Sequence, residues 1–367
     1  MKIEALELRE VSLPMRTPFR TSFAVETDRR LLLVTLHAGG EEGLAECVAG
    51  SFPGYSPETT DTAWTILERH VAPRIVGTSF ATPDELLAAL APIRGHDMAV
   101  AAVEMAFWDA QAKALGVPLW QLLGGHDRPV PVGVSLGIQE SVEATVDAAR
   151  RAVDEGYRRV KLKIAPGWDV EPVAAVREAL PDVPLSVDAN SAYRLTDARV
   201  LRELDAFDLQ YVEQPLAHDD LVDHATLQEQ VTTPICLDES IHSPEDARKG
   251  LELGAGRVIN VKVGRVRGFR RARMVHDVAR AFGAPVWCGG MLETGIGRAA
   301  NLHLSTLENF TLPGDTASGS RYWTRDLIEQ ELEAVDGLQT VPADGPGIGV
   351  TLDRARVDAV TTRTLTL

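Results

Sequence analysis

The sequence predicts an α/β protein: a closed barrel of eight parallel strands, preceded by a smaller α+β domain. Three observations point there. From about residue 130, short apolar runs alternate with amphipathic stretches, the pattern of strands joined by covering helices. Eight such runs occur, and eight parallel strands close into a barrel. Before them lie long alternating strands around a Gly-Gly turn, then a helical half.

The first domain spans residues 1–128. KIEALELREVSLP and RRLLLVTLHAGGEEGLAECV read as antiparallel strands turning at Gly39-Gly40, and HDMAVAAVEMAFWDAQAKALGVPLWQLLGG as its helical part. The barrel spans 129–320, with strands expected at 131–138, 159–164, 184–190, 209–216, 234–240, 257–263, 285–291 and, less regularly, 310–315. Between them, stretches such as SVEATVDAARRAVDEG and SPEDARKGLELGA end at Gly or Gly-Ala, as helices do. Residues 321–367 leave the barrel period, and PADGPGIGV is expected as a loop against the first domain.

A net charge of −16 over 367 residues with 45% hydrophobic content argues against nucleic acid or an anionic membrane surface as partner. An anionic substrate would need a locally positive site. MKIEALELRE has no basic region before an apolar stretch, and no apolar run reaches the roughly 18 residues of a membrane span. Cys47, Cys236 and Cys288 are scattered and odd in number, which suits buried thiols in a reducing cytoplasm. A homo-oligomer is the expected assembly.

Basic residues are 31 arginines and only six lysines. Three lysines, Lys161, Lys163 and Lys262, lie in apolar strand-like segments where arginine has not replaced them. A buried Lys differs from Arg chiefly in that it can lose its proton. In V-K-L-K-I alternate side chains share a face, so Lys161 and Lys163 point the same way. Surface snorkelling is the plain alternative, and it suits an apolar run poorly.

The polar residues fall into register. Asp188 follows Lys163 by 25 residues, Glu213 follows by 25 more, Asp238 by another 25, and Lys262 by 24. Each sits near the C-terminal end of its strand, and in a barrel those ends open on the active-site face. One carboxylate alone would read as a helix cap or an arginine partner. Three on neighbouring strands suit a hard cation, Mg²⁺ or Mn²⁺, rather than Zn²⁺, because no His or Cys joins them. Lys163 on the second strand and Lys262 on the sixth would then flank a substrate from opposite sides. A nearby metal and a second lysine favour the neutral amine that acts as a base. Such a site removes a proton α to a carboxylate, and then either returns one to the opposite face or eliminates water. A Schiff-base lysine is the rival chemistry, but it needs no carboxylate triad.

Two further stretches bear on the site. CGGMLETGIGRAA (288–300) contains G-x-G-x-x-A after a strand, a weak dinucleotide match. Its glycines are expected to let backbone N–H groups near a helix start approach an anionic substrate end, with Met291 as a pocket wall. RTPFRTSF (16–23), carrying Phe19 and Phe23, and FPGY (52–55), carrying Tyr55, either close over the barrel mouth or simply pack.

Taken together, V-K-L-K-I, V-D-A-N, V-E-Q-P, C-L-D-E-S and V-I-N-V-K resemble the enolase superfamily, muconate-lactonising subgroup. Longer matches, including P-G-W-D-V-E-P, E-T-G-I-G-R-A-A-N and F-T-L-P-G-D, resemble its o-succinylbenzoate synthase / N-acylamino acid racemase family, also called N-succinylamino acid racemase. The resemblance covers essentially the whole chain. It implies a modified TIM barrel, (β/α)7β, under an N-terminal α+β capping domain to which 321–367 returns. By the same resemblance Lys163 and Lys262 are the acid/base pair, and Asp188, Glu213 and Asp238 the Mg²⁺ ligands. Lys161 would help hold the substrate carboxylate, with Asn190 and Glu239 in support near the metal. Ser135 and Met291 would line the acyl side. Two activities are implied on one site: racemisation of N-acyl or N-succinyl amino acids, and dehydration of a cyclohexadiene carboxylate to 2-succinylbenzoate in menaquinone biosynthesis. Specificity should lie in the Phe19–Phe23 and 50s loops. The alternatives are a dipeptide epimerase and a catalytically dead metal-binding scaffold.

Overall fold

A computed structural model describes residues 1–367. The chain opens with β1 (Ile3–Arg20), β2 (Val25–Ala38) and β3 (Glu41–Cys47); β1 alternates buried and less buried positions over its first half, as where one face meets the core, whereas β3 is buried throughout its last five residues. Gly39 and Gly40 take φ of 59° and 84° at the β2–β3 turn, a conformation that glycine adopts without strain. The helix Asp97–Leu115 packs on this sheet and ends at Gly116 in the left-handed region. After β4 (Val130–Pro131) come the barrel strands: β5 (Val134–Leu136), β6 (Val160–Lys163), β7 (Leu185–Asp188), β8 (Val212–Glu213), β9 (Ile235–Leu237), β10 (Val258–Val261) and β11 (Val286–Cys288). The chain closes with β12 (Leu338–Gln339) and β13 (Thr361–Thr366).

Seven parallel strands pair in the order β11-β10-β9-β8-β7-β6-β5, and the first domain's sheet runs β13-β1-β2-β3. β13 thus ties the end of the chain to its start, antiparallel along β1. The eighth expected strand, 310–315, is not a ladder. It closes the barrel through two isolated parallel bridges, Val286–Phe310 and Val132–Gly314. Pro313 has no N–H to donate, so a continuous ladder is interrupted there. The loop around PADGPGIGV does reach the first domain: Ile348 N–H donates to Asp109 at 2.7 Å, and Gly347 bonds to Val117.

One continuous apolar core runs through both the sheet layer and the barrel. Inside the barrel, Tyr211, Cys236, Val258 and Trp287 form a separate buried layer. Tyr211 and Trp287 stack with ring centroids 5.6 Å apart. This layer floors the polar end of the barrel, where the expected site residues gather.

Candidate active site

Period two along β6 sends Arg159, Lys161 and Lys163 into the barrel, and all three are buried. Parallel register places Lys163 opposite Asp188, and Asp188 opposite Glu213. Asp238 follows β9 directly, and Lys262 follows β10. The three carboxylates therefore occupy neighbouring strand ends, with one lysine on either flank.

The contacts are close. Lys163 Nζ lies 2.6 Å from Asp188 and donates to Asn190 at 2.7 Å. Lys262 Nζ lies 2.9 Å from Asp238. Lys161 meets Glu213 at 2.7 Å and Asp315 at 2.8 Å, with its ammonium 4.4 Å from the Trp287 ring centroid. Asn260 donates to the other Glu213 oxygen, and Arg265 to Asp238. Asn190 reaches Glu239 at 3.1 Å, while the second Glu239 oxygen has no partner.

These pairings set the electrostatics. Burial opposes charge on Asp188, but Lys163 and Lys161 outweigh it and hold the carboxyl below its ordinary range. Burial and the Asp188 charge push Glu213 the other way. Burial, with Asp188 beside it, raises Glu239 to about 7. At Lys262 burial works against the ammonium, yet Tyr55, Glu239, Glu213 and Asp188 more than offset it and raise the pKa. Lys161 is raised in the same way by Asp315, Glu213 and Asp188. The neutral amine was expected beside a bound metal; with the carboxylates facing them directly, Lys161 and Lys262 are instead held as ammonium groups. Neutral lysine requires that negative charge to be answered by another cation.

No three acidic, His or Cys side chains form a ready-made metal cage, because the lysines, Arg265 and Asn260 occupy the carboxylate oxygens. The donor set still fits a hard divalent cation. It is all oxygen and fully buried, and it sits beside the unpartnered Glu239 oxygen.

Above the carboxylates open two adjoining cavities. The outer, of about 760 Å³, is lined by Phe19, Phe23, Tyr55, Lys163, Asn190, Lys262 and Met291 among others. The deeper, of about 450 Å³, is lined by Phe19, Ser135, Lys161, Lys163, Asp188 and Lys262 with others. Glu213, Asp238 and Glu239 line neither and lie beneath the ion pairs. Tyr55 reaches further in than a rim residue, since its hydroxyl donates to Asp238 at 3.0 Å. Phe19 lies over Lys163, 6.0 Å from ammonium to ring centroid, whereas Phe23 stays at the exposed rim. Ser135 gives its hydroxyl to Asp315 at 3.0 Å.

Of the run 288–300, Gly290 lines both cavities, but the helix start does not meet the expectation. At the start of the helix Gly295–Leu304, the N–H groups of Thr294 and Gly297 do not face the substrate cavity. They donate to Glu46 of β3, at 3.0 and 2.9 Å, and the Thr294 hydroxyl adds a third bond at 2.6 Å. The chain supplies its own carboxylate to that helix end.

Pattern reading missed Asn260, Arg265, Asp315, Arg159 and Gln214. Arg159 and Asn260 were findable, each two residues before a site lysine and so on its face. Asp315 ends the run read as the eighth strand. Gln214, with φ of 33°, accepts from Asp238 N–H at 2.9 Å and fixes the loop after β9. Its neighbour across the sheet, Asn190, also has positive φ, 43°. Strained backbone at the strand ends is what a positioned site shows.

Two family models match, "Mandelate racemase / muconate lactonizing enzyme, N-terminal domain" over residues 3–124 and "Enolase C-terminal domain-like" over 144–356. The chain belongs to the mandelate racemase/muconate-lactonizing enzyme family. Within this enolase-superfamily group it is 55% identical to the N-succinylamino acid racemase of Thermus thermophilus, with 98% of each chain covered. It is 51% identical to the o-succinylbenzoate synthase of Geobacillus kaustophilus, covering 98% of this chain and 96% of that one. Among solved structures, an enolase-superfamily member from Listeria innocua superposes with a TM-score of 0.96 at 38% identity, covering 100% and 99% of the two chains. This family relationship makes the protein an enzyme of the isomerase/lyase kind, of a superfamily that uses a divalent metal, typically Mg²⁺. No helix is long and apolar enough to cross a membrane.

Proposed function

We propose that this enzyme removes the α proton of a carboxylate substrate, as a racemase of N-acyl and N-succinyl amino acids, as an o-succinylbenzoate synthase, or as both. The observation that carries the reading is the placement of Lys163 and Lys262 on opposite sides of one cleft, with the carboxylate-bearing strands between them. Lys163 and Lys262 are the acid/base pair. The amine of one takes the proton at Nζ, while the ammonium of the other returns a proton to the opposite face. Asp188, Glu213 and Asp238 would hold Mg²⁺, or Mn²⁺, with Glu239 and Asn190 beside them. Once bound, the cation stabilises the negative charge that develops on the substrate carboxylate.

Lys161 helps to hold that carboxylate. Phe19, Phe23, Tyr55 and Met291 shape the rest of the cleft, with Ser135 in the deeper chamber. Both reactions start with the same proton removal, so one site serves either, and the relatives at 55% and 51% identity carry one name each. Retention of both lysines sets the reading against an inert scaffold. We assign 1–128 as capping domain, 129–320 as barrel and 321–367 as the returning segment, and place the enzyme in the cytoplasm as a homo-oligomer.

Proton NMR in D₂O, with N-succinyl and N-acetyl L-amino acids, enzyme and Mg²⁺, tests the reading. Loss of the α-proton signal with gain of the D enantiomer establishes racemisation. No exchange with any of them refutes it and leaves dehydration of the cyclohexadiene carboxylate as the reaction.

A further inference from the structure

The outer cleft is lined by three cations, Arg29, Lys163 and Lys262. Two already face carboxylates, Lys163 on Asp188 and Lys262 on Asp238. Arg29 does not. It stands on β2 opposite Leu13, is 4% exposed, and gives one Nη to the Val48 carbonyl. Its Nε has no partner. Two acidic residues, Glu26 and Glu58, line the same cleft, but neither pairs with it. Glu58 turns its oxygens to the N–H groups of Met98 and Ala99, at 2.8 and 3.1 Å.

A buried guanidinium without an anion is unfavourable. Its planar fork is suited to a carboxylate, and in a chain of net charge −16 such a cation is conspicuous. We propose that Arg29 receives the distal carboxylate of a succinyl substituent on the substrate. This rests on the carboxylate-substrate reading above and adds which wall of the cleft reads the acyl group. The names of the two relatives share a succinyl group, which brings a second carboxylate. The first belongs with the barrel lysines; the second needs a cation elsewhere in the cleft. Ser135 is committed to Asp315 and offers no charge. Arg29 stands on the wall built by the first domain, with Met98 and Phe52, across the cleft from the barrel residues Lys163 and Asn190.

The test is calorimetric titration of the Mg²⁺-loaded full chain with N-succinyl- and N-acetyl-phenylalanine. Racemic ligands are used, so that turnover leaves their composition unchanged. Wild type is expected to prefer the N-succinyl ligand. Arg29→Met should lower the N-succinyl to N-acetyl affinity ratio roughly 10- to 100-fold, the effect of losing a hydrogen-bonded charge pair. Arg29→Lys, which keeps the charge, should recover part of it. Equal weakening of both ligands in the two variants would make Arg29 merely structural and overturn the proposal. So would an unchanged ratio, or a wild type without preference. Alpha-proton exchange is followed separately by NMR: selective binding without exchange counts against racemisation alone.

Discussion

Lys163 touches Asp188 and Asn190 and lines both cavities, so its ammonium bridges the carboxylate floor and the open cleft. Lys163→Ala should therefore keep the fold and Mg²⁺ binding but lower racemisation by about 10²–10⁴-fold, the usual contribution of a positioned acid/base group. A steady-state rate within a factor of two of wild type would sink the assignment. Residues of this kind were legible in the sequence, because strand period and strand-end spacing together fix where a side chain points. Arg265 was not, because it lies in the turn after Lys262, where no period applies. Tyr55 was legible as a residue of the barrel mouth, but its bond to Asp238 was not, since only folding brings the first domain's loop there.

At the scale of elements, the first domain is fastened to the barrel by buried groups. Glu46 of β3 caps the helix Gly295–Leu304, next to the turn that carries Met291. Burial raises the Glu46 carboxyl to about 7, above the roughly 4.3 of an unfolded glutamate. A group raised on folding contributes stability that is fully present below its unfolded value and is lost as pH climbs through the folded one. Glu46→Gln removes that dependence. The stability difference between the two proteins should thus move against wild type from about pH 5 to pH 8, read as urea midpoints; parallel pH profiles would contradict it.

Gly43 marks the closest approach between β3 and the helix Asp97–Leu115, since an added Cβ would lie 1.9 Å from the Ala106 carbonyl oxygen. Gly43→Ala should cost about 1–3 kcal/mol or more, read as a fall of several degrees in Tm. An unchanged Tm would show that the two elements can part freely.

On the scale of the whole molecule, the architecture was readable because seven strand–helix units repeat with little variation. The eighth position was less so, since Pro313 breaks its ladder and closure rests on two bridges. Charge is balanced locally: buried lysines face buried carboxylates, and a divalent cation must compete with them. Mg²⁺ that binds only the folded chain raises its stability by about 2.7 kcal/mol at roughly 100 times Kd. Thermal unfolding should accordingly show a Mg²⁺-dependent rise in Tm that Asp188→Ala abolishes. An equal rise in the variant would place the metal elsewhere.

Whether the two lysines act on opposite faces of one substrate is read from enantiomer-resolved α-proton exchange in D₂O with each single-lysine variant. Lys163→Ala should still exchange one enantiomer of an N-succinyl amino acid, Lys262→Ala only the other, and neither should interconvert them. Exchange of the same enantiomer by both variants, or interconversion at a rate near wild type in either, would contradict the two-base mechanism.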